Sequence, residues 1–186
     1  MRDETRSNAD HLGNRGSSVP DGFSVLATVG ILIGCVVVVA HLLLGGTSSL
    51  VRMDGTAAWP YALGFALIVL GLVLHVLRPA AKQDVVITIG SGVVCVIALP
   101  VAWLLFGFAG IGLGDDRQVA ALLAAHTASV LPIITAFTGG VVSWRTRTAT
   151  YRHRRLLMGA LVCASLVVSV GLLVWAGMSF PGGVER

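Results

Sequence analysis

His41 and His126 are the residues best suited to chemistry in this 186-residue chain, because both fall inside long apolar runs. An ionisable side chain in such surroundings is costly and marks a functional site by default. Two neutral imidazoles facing one another can ligate a haem iron or another metal. His41 and His126 are therefore the candidate cofactor ligands, with haem b as the group such a pair would take. Their helical phases differ. His41 follows Gly34 by seven residues and shares its face, whereas His126 lies roughly opposite the small-residue face of Ala121, Ala124, Ala128 and Thr135. Three readings accommodate this: a helix gripped on both sides, a phase shift at Pro132, or a histidine in no site at all. In the last case its N–H bonds to a Ser, a Thr or a carbonyl freed near Pro132, without any cofactor. That cofactor-free reading is the expectation.

Other constellations carry less. Cys35, Cys95 and Cys163 fall one each on the first, third and fifth runs, with no CxxC pair; they read as small packing residues rather than metal ligands. Ser91, between Gly90 and Gly92, combines with His126 into the residue types of a Ser–His hydrolase. At about 1.5 Å of rise per residue the two should differ by roughly 10 Å in depth, too far for a nucleophile and its base. The Gly110-x-Gly112-x-Gly114 stretch lacks a Lys and reads as a turn, not a phosphate loop. Asp115 and Asp116 are adjacent carboxylates without further cation ligands. His75, near Arg78, reads as an interfacial side chain reaching toward headgroups.

The elements that carry these residues are five apolar runs free of Asp, Glu, Lys and Arg, at about 23–44, 59–77, 85–108, 119–144 and 156–180. Crossing about 30 Å of hydrocarbon takes roughly 20 helical residues. Lipid offers the backbone no hydrogen-bond partners, so each run must be a helix despite its Val and Ile. The expected fold is an all-α integral membrane bundle of five transmembrane helices. Trp59, Tyr61, Trp144, Trp175 and Phe180 lie near run ends, where amphipathic rings favour the interface. Composition agrees: 55% of residues are hydrophobic and 12% charged, against about 25% charged in an average soluble domain. One Lys against twelve Arg, with abundant Ala, Gly and Val, suggests a GC-rich prokaryotic source.

Residues 1–22 mix Arg with Asp and Glu among Ser, Asn and Gly, a composition expected to be disordered. The following run is too long for a signal-peptide core and no A-x-A site closes it, so it reads as a retained span. Ten Lys and Arg lie in the amino-terminal tail and the connections around 78–84 and 145–155, against three in the remaining connections and the tail at 181–186. The positive-inside rule then places the amino terminus in the cytoplasm and the carboxyl terminus outside.

The densest basic cluster is Arg145, Arg147, Arg152, Arg154 and Arg155. It reads chiefly as a topology determinant, and also as a surface facing anionic lipid or an acidic partner. Gly30 and Gly34, and Ala121, Ala124 and Ala128, have the spacing that lets helix backbones approach; they should pack the bundle, and Gly30 and Gly34 also offer a face for a homo-oligomer. The runs hold no carboxylate, Lys or Arg, which removes most general acid–base chemistry and argues against an ion-coupled carrier. The sequence thus points to a small multi-pass plasma-membrane protein, non-catalytic, serving as an accessory or structural subunit. Its partners would be membrane lipids and a homo-oligomer or larger membrane complex, not nucleic acid. The alternatives are a membrane b-type haem or metal protein for electron transfer through His41 and His126, and a facilitator for a small neutral solute, lined by Thr127, Ser129, Thr135 and Thr138.

Overall fold

The computed structural model of the chain describes residues 22–44, 55–77, 81–111, 115–146 and 151–179. The expected disordered tail, Arg147 and the carboxyl-terminal segment lie outside the described residues. Five helices account for nearly all of the rest: α1 (Gly22–Leu43), α2 (Gly55–Leu77), α3 (Ala81–Gly110), α4 (Asp116–Arg145) and α5 (Tyr151–Ser179). All five are long and apolar enough to cross a membrane. Outward side chains such as Val96, Trp103 and Val167 are more than two-thirds exposed. An apolar surface of that kind fits a multi-pass membrane protein, because lipid solvates it and water would not.

Helix direction alternates along the chain. Gly34 of α1 meets Gly64 of α2, and Ala27 and Ile31 meet Gly71, so α1 and α2 are antiparallel. Thr88 against Gly140 and Gly92 against Phe137 set α3 antiparallel to α4. Thr135 bonds Ser165, and Arg154 bonds Ser143, which does the same for α4 and α5. Helix α4 is the hub and packs against all four others, whereas α5 packs along α4 and α2 and reaches α3 through the Arg154 side chain.

Glycine sets close approaches in both the α1–α2 and the α3–α4 pair. A Cβ on Gly34 would lie 2.6 Å from the Gly64 carbonyl oxygen, and one on Gly140 would lie 3.0 Å from the Thr88 Cα. Helix backbones are in direct contact at both points, which only a residue without Cβ allows. Gly30 contributes little to this, since its nearest neighbour would be 3.9 Å from an added Cβ. The Gly34 face is covered by α2, so a second copy of the chain would have to dock elsewhere.

Ala121, Ala124, Ala125 and Ala128 of α4 are all buried, and the first three pack on Ala176 and Leu172 of α5. His126, on the other side of α4, is buried too. The fourth helix is thus gripped on both sides, which explains why its polar and small residues do not share one face. Pro132 cannot supply the N–H that would bond the Ala128 carbonyl four residues back. That carbonyl instead accepts a hydrogen bond from the Tyr61 hydroxyl of α2, at 2.9 Å. Tyr61→Phe strands a buried acceptor and should cost about 1–2 kcal/mol of stability, read as a lower melting point in detergent; an unchanged melting point would remove Tyr61 from this role.

The helix starts differ from the apolar runs. Helix α3 begins at Ala81, four residues before its run, and α5 begins at Tyr151, five before its own. Hydropathy marks where side chains turn apolar, but the backbone ladder continues into polar sequence, and an acidic residue in a first turn is favourable beside the helix dipole. These extra turns carry Asp84 and Arg154 into the bundle.

Candidate functional site: an ionic cluster buried at one end of the bundle

Asp84 is fully polar and almost fully buried, at 1% exposure. It sits in the first turn of α3. His75, two residues before the end of α2 and at 0% exposure, donates from Nε2 to Asp84 Oδ1 at 2.6 Å. Because a carboxylate here only accepts, this bond fixes the imidazole tautomer with its proton on Nε2. Arg154 of α5 reaches the same Oδ1 at 3.2 Å. The same guanidinium nitrogen donates to the Ser143 hydroxyl near the end of α4. Three helices therefore meet at one carboxylate, and Arg154 ties in the fourth through Ser143.

The apolar runs themselves hold no carboxylate or Arg, but Asp84 and Arg154, just outside two of them, are buried among the helices and so return charge to the bundle. His75 likewise does not reach for an interface: it is turned inward and bonded. Arg154 also leaves the basic surface cluster to which its neighbours belong, for Arg145, Arg152 and Arg155 are exposed while Arg154 is buried. A buried ion pair is stable only when its geometry is good and its remaining groups are bonded. Here Arg154 Nε and His75 Nδ1 find no hydrogen-bond partner among the described residues. The cluster thus joins its helices at a desolvation cost left partly uncompensated, and its weight lies in what removing one partner would strand.

The two candidate cofactor histidines have different surroundings. His41 lies beside Tyr61 of α2, ring centroids 6.2 Å apart, and His126 meets Phe106 of α3 edge-on at 5.9 Å. His126 Nδ1 donates to the Leu122 carbonyl at 2.9 Å, one turn back on its own helix. It therefore uses neither a neighbouring hydroxyl nor the carbonyl freed by Pro132. Thr127, Ser129 and Thr135 donate in the same way to Leu123, Ala125 and Leu131, so these hydroxyl hydrogens are turned to the backbone rather than toward a lumen. Ser91 likewise bonds the Ile87 carbonyl. Asp115 caps α4, its side chain accepting from the Arg117 N–H at 2.9 Å, which gives that carboxylate an ordinary helix-starting task. Cys35 and Cys95 are buried and Cys163 is exposed, all three as free thiols. Among the described residues no three His, Cys, Asp or Glu side chains gather as a metal-binding group.

A groove of about 260 Å³ runs between α2 and α5 beside the cluster, apolar along its length and with Arg155 at its end. Comparison with protein-family models, curated proteins and solved structures gives no match.

Proposed function

We propose that this chain is a non-catalytic, lipid-interacting subunit of the plasma membrane, acting through helix packing and a basic cytoplasmic face. The observation that carries the reading is where its polar groups go. The His75–Asp84–Arg154–Ser143 cluster, the Tyr61 bond to Ala128 and the Thr135–Ser165 pair all join one helix to another. Side chains of the kind that would turn over a substrate are engaged in holding the bundle. Lys82, Arg145, Arg152 and Arg155, at the same end, are exposed instead. That distribution supports a cytoplasmic placement of this end and of the amino terminus, with the carboxyl terminus outside, and an acidic protein or lipid as its counterpart.

The test replaces Arg145, Arg147, Arg152 and Arg155 with Gln, deletes residues 1–21, and leaves Arg154 intact because the fold uses it. Co-purifying proteins identified with the unaltered chain should be lost; full recovery of the same set overturns the reading. A b-type haem or metal protein is the second reading, favoured by one observation. With His126 Nδ1 committed to Leu122, its Nε2 is left as the ring's lone-pair nitrogen, the orientation a metal-binding imidazole takes. A Soret band in the purified protein that vanishes in both His41→Ala and His126→Ala variants would establish it.

A further inference from the structure

We propose that the α2–α5 groove binds an anionic phospholipid, one acyl chain lying along the groove and the phosphate held by Arg155. The inference rests on the lipid-interacting reading above and names the ligand. From Arg155 to Val162 the groove follows α5 for about 10 Å at 1.5 Å per residue, with Leu72 and Val76 as the facing wall on α2. Its depth on the α5 side comes from Gly159, where an added Cβ would meet nothing within 4 Å. An elongated apolar trough that ends in a guanidinium is complementary to an amphiphile with a negative head, and the planar fork of Arg suits a phosphodiester.

The surrounding charge points the same way. At this end of the bundle the described basic residues are Lys82, Arg145, Arg152, Arg154 and Arg155, and the one described acidic residue is Asp84, already bonded to Arg154 inside the bundle. A second copy of the chain would also bring apolar surface, but a two-fold contact along this groove sets Arg152 and Arg155 against their own images. Like charges disfavour that occupant, whereas an anionic lipid relieves them.

Native mass spectrometry of the detergent-purified full chain tests the proposal, with phosphatidylglycerol, phosphatidylcholine of the same acyl chains, and inorganic phosphate as separate probes. One phosphatidylglycerol per chain should be retained, with an affinity about fivefold above phosphatidylcholine for one arginine near 1 kcal/mol. Arg155→Gln should remove that preference. Gly159→Leu, which fills the trough, should abolish retention of both lipids while leaving the melting point near that of the unaltered protein. Bound phosphatidylglycerol should also slow labelling of Cys163, which lines the groove, by a small thiol reagent. Equal retention of the two lipids, or undiminished binding by Gly159→Leu, overturns the proposal. Binding of phosphate alone with the same Arg155 dependence would mark a free-anion site and overturn the acyl-chain assignment. Partner recovery is scored separately: retained partners with no lipid selectivity remove the groove site alone, and lost lipid and lost partners are independent results.

Discussion

Asp84→Leu should lower the free energy of unfolding by about 3–5 kcal/mol, the usual loss when one member of a buried ion pair is removed. The reason is what remains. Arg154 is 6% exposed, and without the carboxylate its positive charge keeps only the Ser143 hydroxyl described near it. His75 loses its Nε2 acceptor in the same step, since that bond is to Asp84 Oδ1. Asp84→Asn should fall short of this loss, because the amide oxygen still accepts a hydrogen bond while the charge is gone. Unfolding of the purified protein in mixed micelles, followed by helical circular dichroism, reads the difference. A change under about 1 kcal/mol for Asp84→Leu would place the carboxylate in a far more solvated setting than its burial indicates.

Gly34→Leu should be comparably damaging, at about 3 kcal/mol, the upper end of ordinary overpacking. Even the first carbon of the new side chain meets the Gly64 carbonyl oxygen at 2.6 Å and the Ile68 backbone nitrogen at 3.1 Å. Backbone atoms cannot swing aside as a flexible side chain can, so α1 and α2 must separate. Gly30→Ala is the matched comparison. An added Cβ there finds its nearest neighbour at 3.9 Å, and the better helix propensity of Ala should make the change neutral or stabilising by up to about 1 kcal/mol. Melting curves of the two variants should therefore separate, with Gly34→Leu falling and Gly30→Ala holding or rising. If both fall equally, the two glycines act as one motif and the asymmetric contact is wrong.

Much of this architecture is legible in the amino-acid order, and the reasons for the remainder are physical. Five apolar runs declare five helices because lipid permits few other spanning structures. The helix ends are hidden, since hydropathy follows side chains while a helix follows its backbone bonds. That difference of four or five residues concealed the cluster. Asp84 and Arg154 each stand just outside an apolar run and are 70 residues apart in the chain. One signal was present: Asp84 is the lone acid among the bases of the two connections at 78–84 and 145–155. A single carboxylate in that company invites the question of which base it pairs with. Similarly, Pro132 announces a carbonyl without its usual donor, but only the packed structure shows Tyr61 supplying one. Gly64 and Gly71, seven apart on the second run, are the counterpart of Gly34 and were readable as a small-residue face. The helical phase of His126 posed a real question, and the answer is that α4 is gripped on two sides.

The most direct test of the account is a double-mutant cycle on Asp84 and Arg154, using Asp84→Leu, Arg154→Leu and the two together, with unfolding free energies measured in one micelle composition. If the pair staples α3 to α5, each single change should be severe and the double change milder than their sum by at least about 2 kcal/mol, because replacing a buried pair wholly by apolar groups removes the uncompensated charge. Strictly additive losses would mean that Asp84 and Arg154 do not act on one another, and the cluster would no longer explain how the polar groups of this bundle are used.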